Sequence, residues 1–237
     1  MQSTSIKKIY SNIDSIISGE KTRKSIKENI GDTLKDLVFY MPYKIVSAYY
    51  CKAWNDLENK KKVLIKVRVN KHYFGFPRSN IPYRISVIFD NKTINLVFFS
   101  KYTGYLKSIY KEGEDITISG TLATYGKKFQ ILHPTVIDLN TINPETNTIN
   151  TLFYRQKGGL KSSIIHKSIL KTLPLIPEIE EWHSRFKERY PLMPSWKEAL
   201  NNIHLGNDSN ILRDNSIHLL RLAYDEILAN QLSLEII

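Results

Sequence analysis

At 237 residues with 42% hydrophobic side chains, the chain can bury a core and is too apolar to be disordered. Its 34 Lys and Arg against 23 Asp and Glu leave a net charge of +11, which favours DNA, RNA or an anionic membrane surface as partner. One cysteine, Cys51, excludes an internal disulfide and a cysteine-based zinc site and fits a reducing cytosol. The N-terminus lacks a signal peptide's apolar run and cleavage site, and no apolar stretch reaches the roughly 18 residues of a membrane span. A cytoplasmic protein with no membrane partner is therefore expected.

Residues 5 to 41 are expected to be helical. Ile6, Ile9, Tyr10, Ile13, Ile16 and Ile17 recur at spacings of three and four and make one apolar stripe. A second pattern, Leu34, Leu37, Val38 and Met41, starts after a cap at Asp32 or Thr33 and stops at Pro42. Residues 43 to 58 show no period.

From Lys62 the period becomes two, with Val63, Ile65, Val67 and Val69 alternating with Leu64, Lys66, Arg68 and Asn70. A loop with Gly75, Pro77 and Pro82 leads to a second strand, Tyr83 to Phe89. Asp90-Asn91 marks a tight turn into a third, Thr93 to Phe99. A short helix over Tyr102 to Tyr110 precedes two more strands, Asp115 to Thr124 and Phe129 to Leu139. Three strands, a helix and two strands are the order of the OB-fold, a five-stranded Greek-key barrel. Polar residues 140 to 151 suggest a linker. Helices are then expected over Leu160 to Leu173, Glu178 to Tyr190, Trp196 to Ile203, and from about Ser209 to Ile237. The predicted class is α+β: a helical segment (1–58), an OB barrel (59–140), a linker (141–158) and a helical region (159–237).

Between Asn59 and Phe89 lie eight Lys and Arg and no Asp or Glu, interleaved with aromatic residues. An AT-rich coding sequence would also enrich Lys, Ile and Asn, but here the cations are clustered. Lys66, Arg68, Lys71, Arg78 and Arg84 are the candidate phosphate contacts. Phe74, Phe76, Phe99 and Tyr102, in the loop after the first strand and just past the third, are the candidate base-stacking residues. Adjacent Phe98 and Phe99 must face opposite sides of the strand, so one belongs to the core. A second acid-free stretch, Thr146 to Pro177, carries Arg155, Lys157, Lys161, Lys167 and Lys171.

Catalytic patterns are missing. Gly120 to Lys128 has five residues between its glycines where a phosphate-binding loop has four, and no Ser or Thr follows to hold magnesium. The six histidines show no paired metal-ligand spacing, and no nucleophile elbow occurs. No catalytic site and no metal site are expected.

Several runs together resemble one family, the RecG branched-DNA helicases, in their N-terminal region. They are GDTLKDLVFYMP at 31–42, Val97-Phe98-Phe99, Gly113 with Ile118-Ser119-Gly120, Gly126 with QILHP at 130–134, and LRLAYDEILANQL at 220–232. Two sites depart from the family pattern: Tyr43 to Ala48 replaces an Arg-Tyr-x-Asp-Arg run, and a glycine-rich helical turn is reduced to Ser18-Gly19-Glu20. The resemblance implies an OB wedge that splits strands at forks and four-way junctions, with Phe99 and Tyr102 stacking on bases at the branch. It also implies that ATP and magnesium belong to motor lobes absent from this chain, so no cofactor is expected here. The expected function is non-catalytic branched-DNA binding in recombination and repair, in a bacterial, nucleoid-associated setting. Alternatives are a subunit that unwinds DNA only with a separately encoded motor chain, a decayed fragment, and an RNA-binding OB module.

Overall fold

The computed structural model describes residues 7–73, 81–99, 103–126, 128–138, 142, 146–181 and 186–236. The chain divides into two compact units, one of residues 47–149 and one built from residues 1–46 and 150–237. Each has its own hydrophobic core.

The unit over 47–149 is a closed OB-type barrel. After β1 (Lys44–Tyr50) its strands are β2 (Lys62–Tyr73), β3 (Tyr83–Phe89), β4 (Lys92–Phe98), β5 (Asp115–Tyr125) and β6 (Lys128–Leu132), with helix α3 (Thr103–Ile109) between β4 and β5. Strand β2 serves two neighbours. Lys62 to Arg68 pair antiparallel with β5, and Arg68 to Tyr73 pair antiparallel with β3. The register shifts between Val69 and Lys71, where an extra residue bends the strand. β3 pairs with β4 through a tight turn whose Asp90 and Asn91 both have positive φ (47° and 58°), as a two-residue hairpin of the twist-matching kind requires. Parallel pairing of β4 with β6 and antiparallel pairing of β5 with β6 close the cylinder.

Alternation fills the barrel. Val67, Val69, Tyr83, Ile85, Val87, Ile94, Leu96, Phe98, Ile118 and Ile131 point inward and are buried. Beyond α3, Tyr110 packs edge-on against Phe98 at 5.4 Å, and its hydroxyl donates to the Pro134 carbonyl at 3.0 Å. His72 is buried beside it. Its Nε2 lies 2.6 Å from the Tyr110 carbonyl, which can only accept. Nε2 therefore carries the proton, and Nδ1 accepts from the Tyr83 hydroxyl. Gly120 lets β6 come close: a Cβ there would stand 2.3 Å from Ile131 Cγ2. Cys51 is buried in this core, and burial raises its thiol pKa, so it behaves as a small apolar side chain.

The second unit contains α1 (Glu20–Asn29), α2 (Leu34–Val38), α4 (Ser162–Thr172), α5 (Phe186–Arg189), α6 (Trp196–Leu205) and α7 (Ile217–Ile236). Ile13, Ile26, Leu34, Leu37, Tyr154, Ile165, Ile169 and Leu200 share its core. Thr33 caps α2: its Oγ1 accepts from the Asp36 amide while Asp36 Oδ2 accepts from the Thr33 amide. His204 is fully buried and stacked on Tyr154, which also stacks with His166. Nε2 of His204 donates to the Val38 carbonyl at 2.7 Å, leaving Nδ1 to accept from the Tyr154 hydroxyl at 2.9 Å. Arg221, 3% exposed, makes two bonds to Glu181 (2.7 and 3.0 Å) and one to Asp225 (3.0 Å), and lies over the Phe186 ring. Removing either carboxylate would leave a buried cation undercompensated.

Several elements differ from the sequence expectation. The isoleucine stripe is buried at Ile9, Ile13 and Ile17 but is helical only over residues 7–9 and then turns, as the Ile13 amide donates to the Asp32 carbonyl and the Ser11 carbonyl accepts from the Leu34 amide; Ile6 lies outside the described residues. The supposed linker contains β8 (Thr148–Phe153), and the region without period contains β1. The strand expected over Phe129 to Leu139 breaks at His133, where φ is 45°, and resumes as β7 (Thr135–Val136) on β5. Within the helix expected over Glu178 to Tyr190, residues 178–181 are not helical, and Glu181 instead reaches Arg221. The last helix starts at Ile217, since the Asp208 and Asn210 region closes on itself in turns. Residues 182–185 lie outside the described residues.

Two outcomes test these packings. Gly120→Ala should overpack the barrel and lower its stability by about 1–3 kcal/mol, read by urea unfolding. Burial lowers the His204 pKa from 6.5 to about 4, so the unfolded chain binds the proton more tightly. The stabilisation is complete above pH 6.5 and disappears as pH falls towards 4, a loss of about 3 kcal/mol. Urea midpoints measured from pH 7 to pH 4 should fall accordingly, with His166, also lowered by burial, adding in the same direction.

Candidate nucleic-acid interface

The outer face of the barrel carries what alternation expels from the core. On β2 these residues are Lys66, Arg68, Lys71 and Tyr73; on β3, Arg84, Ser86 and Ile88; on β4, Thr93, Asn95 and Val97. The candidate cations fall into two groups along β2. Lys66 and Arg68 stand where β2 meets β5, and both engage Asp115: Arg68 Nε at 2.9 Å from Oδ1 and Lys66 Nζ at 3.7 Å from Oδ2. The hydrogen bond from Arg68 holds the Asp115 carboxyl below its usual range. All three groups are open to solvent, so the pairs are weak and can be exchanged for phosphates.

Lys71 and Arg84 stand at the other end, past the bulge. Lys71 Nζ lies 6.0 Å from the centre of the Tyr73 ring, and Tyr73 pairs across the sheet with Arg84. Here a groove of about 480 Å³ is lined by Tyr73, Arg84, Ser86, Thr93, Asn95 and Lys128, together with Ile81 and Pro82. Its composition is an aromatic ring, two cations and small polar groups. A single strand of nucleic acid needs the same set: stacking, phosphate neutralisation and contact to base edges.

Past the end of β4, Phe98 is 4% exposed and Phe99 is 68% exposed, so the first is core and the second faces solvent. Phe99 is supported from one side by His133, whose ring centre is 5.7 Å away and whose Nε2 is 3.4 Å from the Phe99 amide. The break at His133 is what brings this ring beside Phe99. Among the other expected residues, Phe74, Phe76, Arg78 and Tyr102 lie outside the described residues. Sequence reasoning counted Tyr73 among the residues of the first loop without choosing it for stacking, and passed over Asn95 and Lys128, and also Tyr125, which is 76% exposed at the β5–β6 turn. Their signal was present: each sits on an outward position of β2 or β4 or at the turn after β5, where OB barrels meet nucleic acid.

No family model matches the chain, and no curated protein sequence does. A solved structure of RecG bound to a three-way DNA junction is similar, with a TM-score of 0.65 at 18% identity over 84% of this chain. The match covers 28% of the RecG chain, so this chain has the fold of part of RecG and spans little more than a quarter of its length. The Schizosaccharomyces pombe Pot1pC domain bound to single-stranded DNA matches loosely, at a TM-score of 0.28 and 9% identity over 51% of this chain and 96% of that one. That overlap carries no weight for the fold. Among the described residues no helix is long and apolar enough to cross a membrane.

Asp115→Asn should free Lys66 and Arg68 for phosphates. DNA affinity is expected to rise, and the slope of log K against log salt to steepen by about one, measured by fluorescence anisotropy between 50 and 200 mM salt.

Proposed function

We propose that this chain is a non-catalytic module that binds branched DNA, its barrel acting as a wedge at the fork. The observation that carries the reading is Phe99, held out from the end of β4 against His133 on a barrel face that also carries Lys71, Arg84 and Lys128. A ring so placed can cap the last base pair where two strands part, while the cations hold the separated backbones. The shared fold with RecG, solved on a three-way junction, supports the same partner class. Lys66 and Arg68 would exchange Asp115 for phosphate when an arm docks. Recombination and repair, where forks and junctions arise, would be the setting.

A second reading is a subunit that works with a separate ATPase motor chain. The distal half of α7 favours it, since Ile227, Leu232 and Leu234 are exposed on one helix with little else to hold them. ATPase activity that appears only when a motor chain is mixed with this one would establish that reading.

The wedge makes a direct claim. At one salt concentration the chain should bind a fork or four-way junction more tightly than linear duplex of equal length. Phe99→Ala should lower fork affinity by about fivefold or more, from the 1–3 kcal/mol of a stacking contact, and leave duplex affinity nearly unchanged. Equal binding of fork and duplex by the unaltered chain would refute the wedge.

A further inference from the structure

Across the outer face of the barrel the strand registers line up one polar row. Lys71 on β2 pairs with Ser86 on β3, Ser86 with Asn95 on β4, and Asn95 with Gln130 on β6. At about 4.8 Å per strand the row is roughly 14 Å long. The next row is Tyr73, Arg84, Val97 and Leu132. Ser86 and Asn95 lie low in the groove, nearly buried and half-buried, while Tyr73, Arg84 and Lys128 stand exposed at its rim. Among the described residues, the side chains of Ser86, Asn95, Gln130, Arg84 and Lys128 have no hydrogen-bond or ion-pair partner.

A sheet face that needed only solubility would carry charged or small residues there. Two neighbouring carboxamides on adjacent strands, each offering a donor and an acceptor a fixed distance apart, are a recognition surface. Carboxamides pair bidentately with adenine, whose amino group and ring nitrogen present the complementary pattern. In a duplex those edges lie in a major groove about 12 Å wide, which admits a helix or a two-stranded ribbon but not a barrel face of four paired strands; in an unpaired strand they are open. The rim then has consistent roles: Arg84 and Lys128 take the phosphates, and Tyr73 stacks on a base.

We infer that this groove holds an unpaired strand and reads its bases, preferring adenine through Asn95. The inference rests on the DNA binding proposed above but not on fork splitting, since it concerns the groove and not Phe99. A wedge that only splits strands has no use for such a row; a wedge that also reads the strand it displaces favours some branch sequences over others.

The test is anisotropy of the full chain with labelled dT15 and with the same oligonucleotide carrying three central adenines. The adenine-containing strand is expected to bind at least about fivefold more tightly. Asn95→Ala and Asn95→Thr, the second keeping a strand-favouring side chain, should both abolish that difference, so that the two oligonucleotides bind each variant equally. Phe99→Ala should leave the difference in place. Equal affinities in the unaltered chain, a preference that survives both Asn95 variants, or no single-strand binding at all would overturn the inference. If forks are still preferred over duplex in that case, only the base reading falls; if neither forks nor oligonucleotides bind, the DNA-binding proposal falls with it.

Discussion

The double pairing of β2 is the constraint on which the barrel depends. A cylinder of five strands closes only if every strand pairs with two neighbours, and β2 does so in succession along its length, giving its first half to β5 and its second half to β3. The extra residue between Val69 and Lys71 supplies the bend. It also leaves Asn70 and Lys71 both exposed before alternation resumes with His72 inward and Tyr73 outward. Without that offset the phase of the strand end would be reversed, with His72 out and Tyr73 in. The buried His72, Tyr83 and Tyr110 network, which fixes the strand end and the residue after α3 together, depends on the same phase.

Electrostatics on the face follow from which strand lies beside which. The basic stretch contains no acid of its own, but β5 brings Asp115 next to Arg68 and Lys66. The charge excess is therefore tempered by Asp115 at one end of β2, while at the other, where Arg84 and Lys128 border the groove, the Glu112 carboxylate is engaged with the His72 amide at 3.0 Å. Phe99 and Tyr73 add flat apolar surface, which gives unpaired bases an advantage over a backbone that is merely negative.

The other unit solves a different problem. Its core gathers residues from both ends of the chain and buries two polar networks, although Asn201 Oδ1 and His218 Nδ1 are buried without a hydrogen-bond partner among the described residues. The Tyr154 hydroxyl and both His204 nitrogens are satisfied, and Arg221 is surrounded by two carboxylates and a ring. Such networks demand one geometry, and they make this unit sensitive to acid. Arg221 and Asp225 belong to the LRLAYDEILANQL run that resembles the RecG family, which gives that run a packing role.

Much of the barrel was legible in the amino-acid sequence by itself. The period-two runs at Lys62, Tyr83 and Thr93, the Asp90-Asn91 turn, the helix before Tyr110 and the strand from Asp115 are set by each residue's immediate neighbours, so local pattern finds them. The inward and outward faces, including the opposition of Phe98 and Phe99, follow from the same period. Tertiary structure decided the remainder. The break at His133, the unwound segment through Glu181 and the turns over the isoleucine stripe arise because distant partners outbid local propensity: Phe99, Arg221 and Asp32 lie 34, 40 and about 19 positions away in the chain. The fate of the basic residues belongs to the same class. Sequence determined that the chain is basic and where its cations cluster; only the fold decided that Asp115 would hold two of them and that Ser86, Asn95 and Gln130 would form one row. Composition is carried by single residues, whereas neutralisation and alignment depend on pairing across strands that are far apart in the chain.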